Sequence, residues 1–567
     1  MQTQTQVYLG SVLRELPRLL SWQDREALSK TYGGFDRTYW GWKFTDFPGA
    51  RFQEGVYALA HVYATPFDGN AYHQDPRVLE WALAGLRYWQ SIQYADGSFD
   101  EAYPFERSLA ATAFTVFYLG EACLLLGDAI PADQCVSLKK TFVRAGRWLC
   151  RNDEHHGILS NHLAAAAGAL DVAGRFCCED GFFTRRQHFL ARIYAHQSKE
   201  GWYEEYGGAD PGYQTHGTFY LARIWQRTKD AQLLDSLRRA TVFLTHCIHP
   251  NGTLGGEYGS RNTEFYYPAG MEILAPEIPE AAAIARFMRP AVERQTVAGL
   301  AAMDAYNFLP VLNNYLFAGA VHVGASLATP AGAGERRPYT ERETAQLLPC
   351  QRDGEYWFPD AGLFMKSTAA YFAVLGLSKG GVLRVYDRKG AWESDCGYWA
   401  RLAGGAMASN QSLLREGFTR EAPDTFCCET DFVRVNQKVQ SPWTFLAFRL
   451  FSITAGRMRA LAYAVKNLLV WVLVRRRRTV PLGFTRRVRF TESSVEIRDT
   501  IRKKSAVNVQ ELRREPKFAS IHMGSSRYFQ AQELQAQARA GENLAEQLGA
   551  SGGFESTRQI VCPLSRG

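Results

Sequence analysis

The chain has 567 residues, which is too long for one ordinary hydrophobic core, so two or three domains are expected. With 46% hydrophobic and 22% charged residues, its composition is that of a globular protein and excludes extensive disorder. A formal net charge of +8 is compatible with an acidic substrate, and no nucleic-acid-binding motif accompanies it.

The cysteine pattern and the N-terminal residues indicate in which cellular compartment the protein is expected. Eleven cysteines without a C-x-x-C pair favour neither a zinc ribbon nor a disulfide framework, which indicates a reducing environment. The first residues lack a basic region followed by an apolar core, so no secretory signal is visible. We therefore expect a cytoplasmic protein, with association with the inner membrane surface left open.

The first half of the chain is predicted to be helical. Residues 7–325 carry apolar runs at helical spacing, separated by loops rich in Trp, Tyr and Gly. Such a series of helices predicts antiparallel hairpins, and an α/α toroid, incomplete or complete, over residues 1–328 fits this pattern. The sequence leaves the number of hairpins open.

The composition changes at residues 329–345, which are rich in Pro, Gly and charge and are predicted to form a linker. Beyond it, short β-rich segments bounded by turn residues predict an antiparallel β-sandwich over residues 346–528. The fold class expected is therefore multidomain α+β. The final segment, residues 529–567, is rich in Gln, Ala, Glu and Gly and is predicted to be a partly mobile tail.

An amphipathic helix is predicted near residues 457–474, directly before Arg475–Arg478. Its apolar part is too short, and too interrupted by Lys466 and Asn467, to predict a membrane span. Two interpretations stay open. The helix docks on the sandwich and an exposed basic strand follows, or it is a cationic interfacial helix whose arginines contact anionic lipid heads.

Two polar clusters mark predicted helix starts. Ser160-Asn161-His162 precedes an Ala-rich run, and either of its first two residues can cap the helix. The second cluster spans residues 201–216, where Gly and Pro pairs break regular structure and place Tyr213 in a turn or a first helical turn. Polar and aromatic residues crowded at helix starts are typical of a functional site.

Several loops combine flat aromatic rings with charged or amide side chains. Rings stack on the apolar face of a sugar, while amides and charges bind its hydroxyls and carboxylates. For any single loop, the alternative is that its rings only close the end of a helical domain. The candidate substrate-binding residues are Arg37, Trp40, Trp42, Glu106, Arg107, Trp202, Glu205, Tyr206, Asp210, Glu257, Tyr258, Arg261 and Asn262.

The two clusters carry a resemblance to a known family. Ser160-Asn161-His162-Leu163, and Tyr213 within Asp210-Pro211-Gly212-Tyr213, resemble the heparinase II/III-like polysaccharide lyases and their alginate lyase and uronyl epimerase relatives. The order of toroid then sandwich is also similar. The loops further resemble members encoded with bacterial surface-polysaccharide genes, which implies a role in making or trimming an exopolysaccharide.

The resemblance implies β-elimination on a uronic acid, whose C5 proton is weakly acidic beside the carboxylate. Asn161 and His162 are expected to hold the carboxylate and stabilise the developing enolate. Tyr213 is expected to move the proton, with His216, Arg107 or Arg261 favouring its ionised form. The scheme needs neither cofactor nor metal.

Each of these residues also has a structural interpretation. Asn161 can be a helix cap only, His162 a satisfied helix-end histidine, and Tyr213 a ring packed behind the Pro turn. The family usually supplies a histidine from the sandwich domain, but the corresponding stretch Ser378–Arg384 has none. This leaves the identity of the catalytic acid open and argues against a metal there.

Two other functions are weighed against the lyase. A toroidal glycoside hydrolase acting on a surface polysaccharide requires two carboxyl groups, for which Glu205 and Glu257 are candidates. A non-catalytic glycan-binding or assembly protein binds sugar without forming product. In each case the expected partner is an acidic polysaccharide or oligosaccharide rather than nucleic acid, and the oligomeric state is open.

Overall fold

The computed structural model describes residues 4–154, 157–327, 346–435, 439, 441–458, 478–514 and 543–563, with the short stretches 461–462, 464–465, 468, 524–526, 528–530 and 533–534. The predicted linker 329–345 lies outside the described residues. So do most of the helix predicted at 457–474 and the residues 475–477.

The N-terminal region is helical, as predicted. Its helices are α1 Gln4–Trp22, α2 Arg37–Trp40, α3 Gly55–Ala64, α4 Pro76–Ser91, α5 Leu109–Leu126, α6 Ala132–Arg151, α7 Ser160–Cys177, α8 Gly181–Ala195, α9 Pro211–Thr228, α10 Ala231–His246, α11 Ala269–Leu274, α12 Pro279–Glu293 and α13 Ala305–Leu327. A 3-10 helix, Ala50–Glu54, leads into α3.

The helices form a closed ring of hairpins. Helices α3, α5, α7, α9, α11 and α13 pack side by side in that order, and α13 returns to contact α3. Helices α4, α6, α8, α10 and α12, together with α1, lie outside them. The expected α/α toroid is therefore confirmed, and it has six hairpins within the described part of the chain.

The inner helices are apolar on all sides because they are covered on all sides. In α5, only Leu124 and Leu125 are exposed, and the other residues are buried. Among the described helices, the segment Leu109–Ala129 is the one long and apolar enough to cross a membrane, and 89% of its apolar window is buried inside the protein. This helix is apolar because it lies in the core of the toroid.

The Ala-rich α7 packs closely against its neighbours because its side chains are small. Its partners include α5, α8 and α9. A Cβ at Gly120 of α5 would come 2.2 Å from the Val172 side chain, and one at Gly168 would come 3.0 Å from Phe117. Close approach of α5 and α7 therefore depends on glycine on both helices.

The C-terminal region forms two antiparallel sheets. The first contains β1 Gly354–Phe358, β2 Leu363–Ser367, β3 Tyr371–Gly376, β4 Val382–Asp387 and β5 Trp392–Asp395 in sequential order. The second contains β6 Tyr398–Leu402, β7 Met407–Ser409, β8 Phe418–Ala422, β9 Thr425–Arg434, β10 Thr479–Phe490, β11 Ser494–Lys503, β12 Val509–Arg514 and β13 Gly553–Val561. Its order is β12-β6-β7-β9-β10-β11-β13, with β8 paired to β9.

The five-stranded sheet is the middle layer of the molecule. One face joins the toroid core through residues such as Met365, Val374 and Val382. The other face meets the eight-stranded sheet, where Phe364, Leu375 and Leu383 pack with residues such as Phe426, Val488 and Ile497. Strands β2, β3 and β4 are buried along their whole length for this reason.

The second sheet extends beyond the predicted sandwich boundary. Strand β13 pairs with β11 from Ser494↔Val561 to Arg502↔Gly553. Helix α15, Ala545–Ser551, packs beside it against β12 and β13. Part of the segment interpreted from sequence as a mobile tail is therefore a strand and a helix of this domain.

A further helix, α14 Pro442–Ile453, lies in the connection between the neighbouring strands β9 and β10. Ser441 caps it by accepting a hydrogen bond from the Thr444 backbone N–H. The connection leaves the sheet and contacts the toroid, where the Phe448 ring meets the Tyr103 ring edge-on at 4.9 Å.

Candidate active site

The candidate site lies at one end of the toroid, where α7 and α9 begin side by side. A Cβ at Gly217 of α9 would lie 3.4 Å from the Cα of Asn161 in the first turn of α7. Tyr213 precedes Gly217 by four residues and so shares this face of α9. The Asp210 side chain caps α9 by accepting from the Tyr213 backbone N–H, which places Tyr213 in the first turn.

The side chains of Asn161 and Glu205 form a buried pair. The Asn161 amide Nδ2 donates to Glu205 Oε1 at 2.8 Å, and its backbone N–H donates to Glu205 Oε2 at 3.3 Å. Burial raises the pKa of Glu205 to about 7, although His162 and Asn161 partly oppose that shift. The carboxyl group is thus substantially protonated near neutral pH and can donate a hydrogen bond.

His162 is held by a second carboxylate. Its Nδ1 lies 2.9 Å from Glu154 Oε2, and 23% of its side chain is exposed. Burial alone would lower the pKa of His162, but the hydrogen bond to Glu154 and the charge of that carboxylate raise it above its ordinary value. The protonated form of this imidazole is therefore more favoured than that of a free histidine. Its ring meets Phe114 edge-on at 5.7 Å.

Tyr213 belongs to a group of aromatic rings at the same end. Its ring is half-buried and lies edge-on to Phe265 at 5.3 Å. Burial, and next the nearby Tyr213, raise the pKa of Tyr206. The Arg261 guanidinium lies 3.4 Å from the centre of the Tyr206 ring. Positive charge is thus present in the group that contains Tyr213.

His216 lies beneath this group. It is buried, its Nε2 is 2.9 Å from the Tyr220 hydroxyl, and its ring stacks on Tyr267 at 4.2 Å. Burial, together with the charges of Arg51 and His162, holds the pKa of His216 well below its ordinary value. His216 is therefore neutral, so it does not supply the positive charge that the sequence interpretation assigned to it.

One cation of the site was missed from the sequence. Arg51, in the 3-10 helix before α3, pairs with Glu54 at 2.8 Å and Glu101 at 3.2 Å. Its guanidinium lies 4.6 Å from the centre of the Phe114 ring, whose other contacts include His162. Polar residues crowded before an apolar helical run were the signal that identified Asn161, and Arg51, Gln53 and Glu54 stand in the same way before the run that begins at Gly55.

Two of the predicted sugar-binding residues are tied to the N-terminal helix instead. Arg37 Nη1 donates to the Ser21 carbonyl, and Trp40 Nε1 donates to the Trp22 carbonyl. Trp42 stacks on Phe44 at 5.9 Å and is 60% exposed. None of these described contacts involves Asn161, His162 or Tyr213.

The loop before α5 carries two further candidates. The Glu106 carboxylate accepts from the backbone N–H groups of Glu101 and Ala102 and so closes the loop on itself. Arg107 lies 3.6 Å from Asp96. Glu101 in this loop is the partner of Arg51, so the loop adjoins the site through that ion pair.

The remaining candidates mostly hold loops together. Trp202 Nε1 donates to Glu200 at 2.9 Å, and the Tyr258 hydroxyl lies 2.9 Å from His249 Nε2. Asp210 is fully buried as the cap of α9 and also accepts from the Arg261 backbone N–H. Through these contacts, Trp202, Asp210 and Tyr258 hold together the loops behind the site.

Glu257 and Asn262 lie at the contact with the sandwich domain. Arg384 pairs with Glu257 and, at 2.6 Å, with Glu264. Because this buried arginine engages Glu257, the glycoside-hydrolase alternative loses one of its two proposed carboxyl groups. Asn262 Oδ1 accepts from Lys379 Nζ at 2.8 Å.

Lys379 and Arg384 both belong to the stretch in which the expected sandwich histidine is missing. Burial lowers the pKa of Lys379 to about 7, so this amine is close to half-protonated at neutral pH. No cluster of three or more His, Cys, Asp or Glu suited to a metal ion occurs among the described residues. The sandwich contributes cations to this end of the toroid.

Comparison with known proteins places this geometry in context. The model of the ulvan lyase N-terminal domain matches residues 45–270, a range that contains Arg51, Asn161, His162, Glu205 and Tyr213. A search of curated protein sequences finds no match.

Two solved structures share the fold across both domains. Paenibacillus xanthan lyase aligns with a TM-score of 0.52 at 9% identity over 90% of this chain and 46% of its own. Streptomyces coelicolor chondroitin AC lyase, in complex with chondroitin sulphate, aligns with a TM-score of 0.54 at 11% identity over 91% of this chain and 68% of its own. The chain thus spans about half the length of the xanthan lyase.

The chain shares with these two lyases a helical toroid followed by antiparallel sheets. The family-model match and the shared fold agree with the resemblance found in the sequence, which is to the heparinase II/III-like polysaccharide lyases.

Proposed function

We propose that this protein is a polysaccharide lyase that cleaves an acidic, uronate-containing polysaccharide by β-elimination. The observation that carries the proposal is the buried Asn161–Glu205 pair beside His162, at the end of the toroid where Tyr213 lies in the first turn of α9. Support also comes from the ulvan lyase domain match, which includes all four residues.

The amide and acid pair fits the carboxylate of a uronic acid. A protonated Glu205 offers a neutral hydrogen-bond donor, and His162 adds positive charge when it is protonated. When the C5 proton leaves, negative charge grows on the substrate carboxylate. Donors already in place in a water-poor site stabilise that charge without further reorganisation, which lowers the barrier.

Tyr213 is the proposed base and acid. A free tyrosine has a pKa of about 10, so its phenolate needs nearby positive charge, and Arg261 lies in the same aromatic group. The phenolate takes the C5 proton, a double bond forms between C4 and C5, and the C4–O bond breaks. The phenol then returns its proton to the leaving oxygen, so atoms and charge balance without water.

The substrate class rests on charge and on the named relatives. The chain carries a net charge of +8, and structures with the same fold are named for xanthan and for chondroitin. A role on bacterial surface polysaccharides and a cytoplasmic location are part of this proposal.

The test is a panel of ulvan, chondroitin and xanthan with a neutral glucan as control, read by ultraviolet absorbance of the unsaturated product and by product mass. We expect product from at least one acidic polymer and none from the glucan. In Tyr213→Phe we expect a fall of about 100-fold or more in kcat/KM.

Tyr203→Phe is the matched control, because the Tyr203 hydroxyl bonds only to Ser236 of α10 among the described contacts. It should retain activity. Products without the unsaturated bond, or full activity in Tyr213→Phe, would overturn the proposal.

A further inference from the structure

Helix α14 presents apolar side chains outwards. Trp443, Leu446, Leu450 and Ile453 recur at helical spacing along one face, and they are 79%, 59%, 58% and 40% exposed. Phe445 beside them is 52% exposed, and of the helix residues only Ser452 is buried. A monomeric protein rarely exposes a continuous apolar strip without a use for it.

The opposite face of α14 is anchored. Arg449 lies 3.1 Å from Asp46 and 5.5 Å from the centre of the Phe47 ring, and Phe448 packs on Tyr103. Further along, the Arg457 guanidinium lies 4.7 Å from the centre of the Phe105 ring. The helix is thus fixed to loops of the toroid, and its outward face keeps a defined orientation.

The connection that contains α14 has an unusual charge pattern. Residues 435–478 contain no Asp or Glu, and their cationic residues are Lys438, Arg449, Arg457, Arg459, Lys466 and Arg475–Arg478. A uniformly cationic segment with an exposed apolar helix is complementary to a surface that is anionic and has an apolar interior.

We propose that the outward face of α14 docks on an anionic lipid bilayer, with Trp443, Leu446 and Leu450 entering the interface. Lipid fits both observations at once, since the apolar strip would leave water and a segment with cationic residues and no acidic ones favours an anionic surface. The anchoring contacts with Tyr103 and Phe105 place the loop before α5, and so the ion pair of Arg51 and Glu101, close to the membrane. This inference does not depend on the proposed lyase activity.

The test is sedimentation of the full chain with vesicles of phosphatidylcholine and phosphatidylglycerol, compared with vesicles of phosphatidylcholine alone. We expect binding to the mixed vesicles that weakens as salt rises and little binding to the neutral ones. In the double variant Trp443→Ser with Leu446→Ser, binding should weaken by about tenfold or more, because two large apolar side chains no longer enter the lipid.

Leu28→Ser is the matched control, because Leu28 is fully exposed in the loop between α1 and α2. It should bind like the native chain, and thermal unfolding should show that all variants fold. Failure of the native chain to bind anionic vesicles, or unchanged binding by the double variant, would overturn the proposal. The proposal would also be overturned if the native chain dimerised without lipid and the double variant did not, because the face would then bind a second copy of the chain.

Discussion

Burial gives the Glu205 carboxyl a chemistry that an exposed glutamate lacks. Its neighbour Glu204 is one residue away, yet it is 25% exposed and pairs with His196. Glu205 is instead removed from water beside Asn161, and its pKa rises from 4.5 to about 7. The proton that it retains is what allows an acid to face another carboxylate in our proposal.

The first prediction concerns Glu205→Gln. Between about pH 4.5 and about 7 the unfolded chain releases a proton that folded Glu205 keeps, so this residue makes the free energy of unfolding fall as pH rises. Glutamine does not titrate. Relative to the variant, the native chain should lose up to roughly 3 kcal/mol of stability across this window, measured by urea unfolding at several pH values.

Glu204→Gln is the control and should keep the native pH dependence. Identical pH profiles for the native chain and Glu205→Gln would contradict the raised pKa. The same variant also separates two chemistries, because glutamine still donates a hydrogen bond. A lyase of the proposed kind keeps most of its activity, whereas a hydrolase that uses Glu205 for proton transfer loses it.

At the scale of elements, the toroid depends on how closely its inner helices approach. Helices α5 and α7 meet through Gly120 against Val172 and through Phe117 against Gly168. This contact sets the position of α7, and thereby of Asn161 at its start. Small residues on both helices are therefore a requirement of the site as well as of the core.

We predict that Gly120→Ala destabilises the protein by about 1 to 3 kcal/mol, because its Cβ would lie 2.2 Å from the Val172 side chain. Gly181→Ala at the start of α8 is the matched control, since nothing lies within 4 Å of its added Cβ. It should be neutral or stabilising by up to about 1 kcal/mol. Urea unfolding measures both, and equal effects would contradict the tight α5–α7 contact.

At the scale of the whole molecule, the sandwich domain holds the loops at the site end of the toroid. The middle sheet is buried on both faces, and Lys379 and Arg384 reach from it to Asn262, Glu257 and Glu264 at the site end. The loops that surround Tyr213 are therefore held from outside the helical domain. We expect changes at this interface to alter the site as well as overall stability.

Arg384→Met is predicted to destabilise the protein by about 3 to 5 kcal/mol, because it leaves two buried carboxylates without their cation. Hydrogen exchange should accelerate in residues 255–264. Arg487→Met is the control, since Arg487 is half-exposed and pairs with Glu421 at the surface, and it should cost about 1 kcal/mol or less. A native-like unfolding curve for Arg384→Met would show that the interface does not depend on this ion pair.

Individual helices and sheets show how much of the structure could be predicted from the sequence. Helix starts near Asn161 and Tyr213 were predicted, and α7 and α9 begin at Ser160 and Pro211. The predicted cap of α7 is wrong, because Leu159 is its N-cap residue and the Ser160 hydroxyl donates to the Glu204 carbonyl instead. The change from helical to strand periodicity correctly predicted a helical region followed by antiparallel sheets. The roles proposed for Asn161, His162 and Tyr213 stay predictions, with the activity assays above as their test.

By itself, the sequence determined that the first half is helical and the second rich in strands, because periodicity and turn residues act over a few residues. It did not identify β13 or α15, which lie in the segment predicted to be a mobile tail. Only the tertiary structure decided that α13 closes the ring on α3, that Glu205 bonds to Asn161 from 44 residues away, and that His216 is neutral. The physical reason is that ring closure and pKa depend on which distant groups come into contact and exclude water, and local sequence does not encode that.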